Sequence, residues 1–378
     1  MHYLNCAYMS PLPRAVEEAG VLGIYRKRNP ASLGPEDFFS ESQEARGLFA
    51  RLVNVPDPDS VAIIPSVSYG VSVAARNTPL ASGQNVVLLE EQFPGNVYAW
   101  LRLAGESGGE VRMVGPGDKD GSALTGSSGR GRRWNERILE AMDGDTGIVA
   151  LAPVHWTDGT RFDLEAISSR AREVGAALII DGTQAVGAMP FDVQALEPDA
   201  LIVASYKWLF GPYSIGLAYF GPRYREGTPL EETWIAREGS EDFRALVDYR
   251  DRYQPGSIRF DVGERSNFIL VPMMAEALRL LQEWEPGRIQ DYAKGLSAEI
   301  LAEAEALGYT TEEEAHRVGH IFGVRTPEGL EMARLSEALR DEGVSASLRG
   351  SALRVSPNLY NDQEDVAALN RALRAALD

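Results

Sequence analysis

A chain of 378 residues, 44% hydrophobic and 24% charged, is long enough for one large domain and a smaller one with cores of their own. Its formal net charge of −18 excludes a nucleic-acid binder, because no net basic surface is available to displace counterions from phosphates. The single cysteine, Cys6, excludes an intrachain disulfide framework and any multi-cysteine metal or iron–sulfur site, and suits a reducing cytoplasm.

The opening residues carry no basic region followed by an apolar run, and no stretch of about 18 apolar residues occurs anywhere, so neither secretion nor membrane spanning is expected. From about residue 61 to 220 one pattern repeats: a short apolar run, a turn rich in Gly, Pro, Ser, Thr or Asp, then a helix-compatible stretch. The runs fall at 61–64, 86–89, 111–114, 148–152, 176–180, 200–204 and 217–220. Most are apolar throughout rather than alternating, which predicts strands of an α/β sheet buried on both faces. Residues 115–133, rich in Gly and Ser with Arg130, Arg132 and Arg133, read as a solvated loop without chemistry. A long helical stretch is predicted at 271–307, then a strand at 320–325, a helix at 330–342, strands at 344–348 and 352–356, and a last helix at 362–377. That order suits a small α+β domain. No fixed-period repeat interrupts the pattern.

Polar residues follow the apolar runs closely, and in open α/β sheets ligands bind at the carboxyl ends of the strands. Lys207, in Ser-Tyr-Lys-Trp after the run 200–204, is placed to be a partly desolvated amine; a lysine of this kind forms a Schiff base with an aldehyde cofactor. Asp181 ends the run 176–180, where a fixed carboxylate holds a pyridine nitrogen protonated. The pair points to pyridoxal 5'-phosphate. Gln184 is placed to reach the cofactor's phenolic oxygen. Residues 66–70, with Val67 and Ser68, join a strand to a helix N-terminus and suit a phosphate, to which Tyr206 adds a phenolic hydrogen bond. Phe93 offers a face for a flat ring. His155 and Trp156 occupy the equivalent point of the next strand, one of them to contact cofactor or substrate. Arg354, on a short strand of the small domain, is suited to hold a substrate carboxylate by two parallel hydrogen bonds.

At these residues the chain resembles the class V aminotransferase family of fold type I pyridoxal-phosphate enzymes, which also holds cysteine desulfurases, kynureninases and isopenicillin-N-epimerase-like proteins. The resemblance runs from Tyr-Leu-Asn-Cys-Ala-Tyr at residue 3 to Leu-Tyr-Asn at 359, and the Asp-Gly-Thr-Gln and Ser-Tyr-Lys segments are its most specific pieces. It implies a large domain at 16–260 with a mostly parallel central sheet, and a smaller α+β domain made of 1–15 and 261–378. It further implies Lys207 as the Schiff-base lysine, Asp181 at the pyridine nitrogen, Gln184 at the phenolic oxygen, and Val67, Ser68 and Tyr206 around the phosphate. Arg-Phe-Asp-Val-Gly at 259 resembles a segment that reaches the partner subunit's site, so Ser266 or Asn267 is expected to touch phosphate across a homodimer interface.

Departures from the family narrow the expectation. A persulfide-forming desulfurase needs a mobile cysteine shortly before the carboxylate-binding arginine, and residues 345–351 contain none. Kynureninase is disfavoured by Gln184, where that enzyme has histidine. The expected activity is therefore that of an aminotransferase-type enzyme on a small amino acid, with a carbon–sulfur β-lyase or an epimerase as the alternative exits from the same Cα carbanion. A cofactor-binding module without turnover is the reading from outside enzymology, and the Lys207, Asp181 and Arg354 set speaks against it.

Overall fold

Apolar side chains that alternate along each strand must find cover on both faces of a sheet, and the strands of this protein do so. The computed structural model describes residues 1–117, 129–350 and 352–378. The chain opens with β1 (His2–Tyr3), α1 (Arg14–Arg26) and α2 (Ser40–Leu52). An alternating series follows: β2 (Val61–Ile64), α3 (Val67–Asn77), β3 (Asn85–Leu89), α4 (Tyr98–Ser107), β4 (Glu110–Val114) and α5 (Arg130–Ala141). It continues with β5 (Thr146–Leu151), α6 (Leu164–Val174), β6 (Ala177–Asp181), the short α7 (Val193–Leu196), β7 (Ala200–Ala204) and β8 (Gly216–Phe220). The seven strands β2 to β8 form one sheet in the order β2-β8-β7-β6-β5-β3-β4, in which only β8 runs against its neighbours.

Val61, Ile63, Leu201 and Val203 pack on one face under α2, α5, α6 and a later helix, while Ala62, Ile64, Ala200 and Ile202 pack on the other under α3 and α4. Uniformly apolar strands are what two covered faces require. Edge strand β4 departs from this: Glu110 is exposed and Met113 largely so. Having one ladder neighbour and partial cover, it keeps polar residues at alternate positions.

After residue 260 come α8 (Leu270–Trp284), α9 (Pro286–Ala306), β9 (Phe322–Arg325), α10 (Met332–Asp341), β10 (Val344–Ser345), β11 (Ser347–Arg349), β12 (Ala352–Val355) and α11 (Gln363–Ala375). The single helix predicted at 271–307 is two. Glu285 has φ 59° and Pro286 opens α9, since proline lacks the N–H that a helix interior needs but is well placed at a first turn. The predicted strand 344–348 is likewise split into β10, which pairs in parallel with β1, and β11, which pairs antiparallel with β12. The predicted loop 115–133 lies partly outside the described residues, and its three arginines sit in the first turn of α5, where Arg130 pairs with buried Asp158 at 2.8 Å.

The apolar side chains gather in separate clusters. Val271, Met274, Leu278 and Leu281 of α8 join the large-domain core against α1 and α2, whereas the second core gathers Leu296 and Ile300 of α9 with Phe322, Leu353 and Leu369. An apolar helix face goes to whichever core it can reach, and α8 packs on α1 and α2. Leu4 packs in the second core. No helix among the described residues is long and apolar enough to cross a membrane.

Candidate active site

One cavity opens at the carboxyl ends of β2, β3, β5, β6 and β7. Nine of the expected site residues line it: Val67, Ser68, Phe93, His155, Trp156, Asp181, Gln184, Tyr206 and Lys207. They come from five segments because each parallel strand ends at the same edge of the sheet.

Lys207 is 7% exposed, and its amine lies 5.4 Å from the Phe93 ring centroid and 5.5 Å from that of Tyr206. Burial pushes its pKa down to about 8; Asp181 opposes the shift, and Arg354 and Arg349 reinforce it. At pH 7.4 such an amine is neutral in roughly one molecule in five, against about one in a thousand for an ordinary lysine. The rate at which apoprotein takes up pyridoxal phosphate covalently is therefore expected to rise about tenfold per pH unit below 8 and to level off above it. Absorbance of the lysine-bound cofactor in stopped-flow mixing measures this; a rate still climbing tenfold per unit at pH 9.5 would mean an unperturbed lysine.

Asp181 ends β6, is buried, and has its pKa raised by burial against the opposing effects of Thr183 and Lys207. The Thr183 backbone N–H donates to Oδ1 at 3.1 Å. No ion pair neutralises this carboxylate among the described residues, so it suits a cationic ring nitrogen delivered from the cavity. Ser66 caps α3 by accepting from the Tyr69 N–H at 3.2 Å. The N–H groups of Val67 and Ser68 are left for a ligand, as at any helix start. A Cβ on Gly95 would stand 3.3 Å from Ser68 Oγ and 3.4 Å from the Phe93 ring, so glycine there keeps a cradle open beside the helix start. An aldehyde-reactive amine, an unpaired carboxylate and a phosphate cradle at one cavity fit pyridoxal 5'-phosphate.

Gln184 is more engaged than its sequence position suggests. Its Oε1 accepts from Trp208 Nε1 at 2.8 Å, its Nε2 donates to the Ala7 carbonyl at 3.2 Å, and its own carbonyl accepts from His320 Nε2 at 2.8 Å. One amide N–H is left to face a phenolic oxygen. His155 has both ring nitrogens in use: Nε2 bonds the Glu90 carbonyl at 3.2 Å and Nδ1 the Thr157 hydroxyl at 2.7 Å, with Trp134 packed 4.8 Å away. It forms cavity wall and presents no free nitrogen. Trp156 donates to the Glu91 carbonyl at 2.6 Å and meets Phe93 edge-on at 5.5 Å.

Arg354 is buried behind Trp156. Its Nη1 donates to the Trp156 carbonyl at 2.8 Å, and Nη2 reaches Ser347 Oγ at 3.3 Å and Asn5 Oδ1 at 3.4 Å. Burial, then Arg349, lowers its pKa to about 10, and its Nε has no acceptor among the described residues. Gly159 (φ 73°) lets the loop after β5 approach the small domain, where a Cβ would meet the Ile321 carbonyl at 2.1 Å. Ser266 and Asn267 lie away from the cavity: Ser266 donates to the Phe38 carbonyl, and Asn267 Oδ1 accepts from the Ile269 and Leu270 N–H groups at the start of α8. Within this chain they meet none of the other expected site residues.

Sequence reasoning assigned no role to Thr183, whose hydroxyl oxygen also accepts from the Ala204 N–H at 3.2 Å and so ties β6 to β7 beneath the cavity. Its signal was its place between Asp181 and Gln184. The sequence pattern places His320 only at the start of a strand. It is fully buried, held at Nδ1 by Gln290 at 2.7 Å, and pushed down to a pKa of about 4 by burial, so it serves Gln184 as a neutral donor.

The family model for aminotransferase class V matches residues 35–369. The chain is 26% identical to the isopenicillin N epimerase of Streptomyces clavuligerus over 395 residues, covering 98% of this chain and 94% of that one. In structure it is similar to the cysteine desulfurase CsdA of Escherichia coli, with a TM-score of 0.78, 19% identity, and coverage of 99% and 94%. It is also similar to a cystine C–S lyase solved with its product cysteine persulfide, with a TM-score of 0.80, 17% identity, and coverage of 98% and 97%.

Proposed function

Since the chain belongs to the class V aminotransferase family of pyridoxal-phosphate enzymes, we propose that it transforms a small amino acid at Cα, by aminotransferase-type chemistry, with Lys207 as the group that binds cofactor and moves the proton. The observation that carries this reading is the buried Lys207 amine in the same cavity as the Asp181 carboxylate, which has no ion pair among the described residues.

When bound, pyridoxal phosphate supplies an aldehyde carbon and an electron-withdrawing pyridine ring. Asp181 holds the ring nitrogen protonated, and the N–H groups of Val67 and Ser68 with the Ser68 hydroxyl hold the phosphate. Arg354 binds the substrate carboxylate and sets the Cα–H bond toward the lysine. Lys207, freed by the incoming amine, takes the Cα proton as a neutral base and carries it as an ammonium. Where Lys207 would return that proton decides the product: amino transfer would need it to go to the cofactor side, with water then releasing the keto acid, whereas loss of a β-substituent before its return would give a lyase. An epimerase needs a second proton carrier on the opposite face, and His155, with both nitrogens engaged, is not free to be one.

A persulfide relay is disfavoured. Residues 345–350 of the described hairpin hold no cysteine, and the Cys6 thiol is fully buried and pushed up to about 12 by burial, so it is no nucleophile. Ser266 and Asn267 lie outside this chain's own cavity, and Tyr213 at its mouth is 62% exposed, which suits a second copy completing the site. A fully active monomer in sedimentation would remove that dimer.

The test is a panel of amino acids added to the yellow holoprotein. Loss of the cofactor's visible band with release of a keto acid supports the aminotransferase. Pyruvate with ammonia redirects the reading to a β-lyase, and no spectral response to any amino acid overturns both in favour of a non-catalytic module.

A further inference from the structure

The hairpin that carries Arg354 carries a second arginine with no ion partner among the described residues. In the β11–β12 ladder Ser347 lies opposite Arg354 and Arg349 opposite Ala352, so Ser347, Arg349 and Arg354 share one face by the two-residue period of a strand. That face meets the cavity wall at Trp156. Arg349 stands with its guanidinium carbon 5.5 Å from the Trp156 ring centroid, while Arg354 bonds the carbonyl of the same residue. The Trp156 ring in turn packs on Phe93, and both line the cavity.

Neither guanidinium pairs with a carboxylate among the described residues, although acids outnumber bases by 55 to 37 in the chain. Among the described residues Arg349 bonds protein only through Nη1, to the adjacent Leu348 carbonyl at 2.9 Å, and its buried Nε has no acceptor there. The Nε and Nη2 edge of its fork is therefore free, the edge that grips a carboxylate with two parallel bonds. A hairpin arginine with a merely solvating role would have Nε in water or against a surface acid. The two arginines also act on one another and on Lys207: each disfavours the charged form of the lysine amine, and Arg349 does the same to Arg354. One substrate carboxylate on Arg354 neutralises one of these charges and leaves the other.

We propose that Arg349 is a second anion-binding arm of the substrate site, so that the substrate is a short dicarboxylic amino acid whose side-chain carboxylate Arg349 holds across Trp156. This rests on the amino-acid reading above and adds the substrate class to it. Arg349 would then determine specificity while taking no part in proton transfer.

Binding of unreactive acids to the holoprotein, by calorimetry, separates the two claims because it needs no turnover. Succinate is expected to bind about 10- to 100-fold more tightly than butyrate, which has the same carbon count and one carboxylate. Arg349→Gln should erase that preference while leaving butyrate affinity within about threefold; Arg349→Lys should keep part of it; Arg354→Gln should weaken both acids. Unchanged cofactor absorbance in each variant reports an intact site. Equal affinity for the two acids in the unmodified protein, or equal loss of both in Arg349→Gln, overturns the second arm. A succinate preference that depends on Arg349, with no amino acid altering the cofactor spectrum, leaves the arm standing and removes the amino-acid chemistry alone.

Discussion

Lys207→Ala is expected to lower turnover by at least about a thousandfold and to abolish the borohydride-reducible link between protein and cofactor. Two functions are lost with one side chain. The amine that captures the aldehyde disappears, and so does the base that takes the Cα proton from a bound substrate. Cofactor should still bind without a covalent bond, because the start of α3, the Gly95 cradle and Asp181 are untouched. Lys207→Arg restores the charge but, with a guanidinium that stays protonated, gives neither nucleophile nor base and should be equally inactive. Absorbance, borohydride reduction followed by peptide mass analysis, and turnover on the responsive amino acid measure the three effects separately. A reduced lysine adduct that persists in the alanine variant would assign the chemistry to a different residue.

Asp181→Asn is expected to cost about a hundred- to a thousandfold in turnover with covalent cofactor uptake retained. An amide of the same shape still accepts a hydrogen bond, but it has no charge to keep the pyridine nitrogen protonated, and the ring withdraws electrons less strongly. The sign of a second effect follows from the field at Lys207. Asp181 raises the lysine pKa against the burial that lowers it. Removing the carboxylate should therefore move the plateau in apoprotein uptake rate below pH 8. Turnover within tenfold of the unmodified protein, or a plateau that moves upward, would show that Asp181 faces neither the ring nitrogen nor Lys207.

The strand ends were legible because the apolar runs that mark buried strands are local. Residues 61–64 and 200–204 are the strands Val61–Ile64 and Ala200–Ala204, and Ser66 and Ser68 after the first and Tyr206 and Lys207 after the second fall at the cavity by geometry alone. The helix break at Glu285 carried a visible marker in Pro286, outweighed by the apolar period running through it. The sequence offers His155 or Trp156 as a contact to cofactor or substrate, and nothing in the chain near His155 announces that the carbonyl of Glu90, 65 positions earlier, takes one of its nitrogens. Gln184 is similar: its partners Ala7, Trp208 and His320 are 177, 24 and 136 residues away.

By itself, then, the sequence determined the strands of the sheet and the edge at which Lys207 and Asp181 come to line one cavity, since these follow from short-range hydrophobic periodicity and from what comes directly after it. Tertiary structure alone decided which core α8 joins, how Asn5 and Ser347 hold Arg354, and that Arg349 stands beside Trp156 with no acid among the described residues to pair with. Those outcomes depend on which side chains meet across hundreds of residues, and a hydrogen-bond donor's partner is set by packing rather than by its neighbours in the chain.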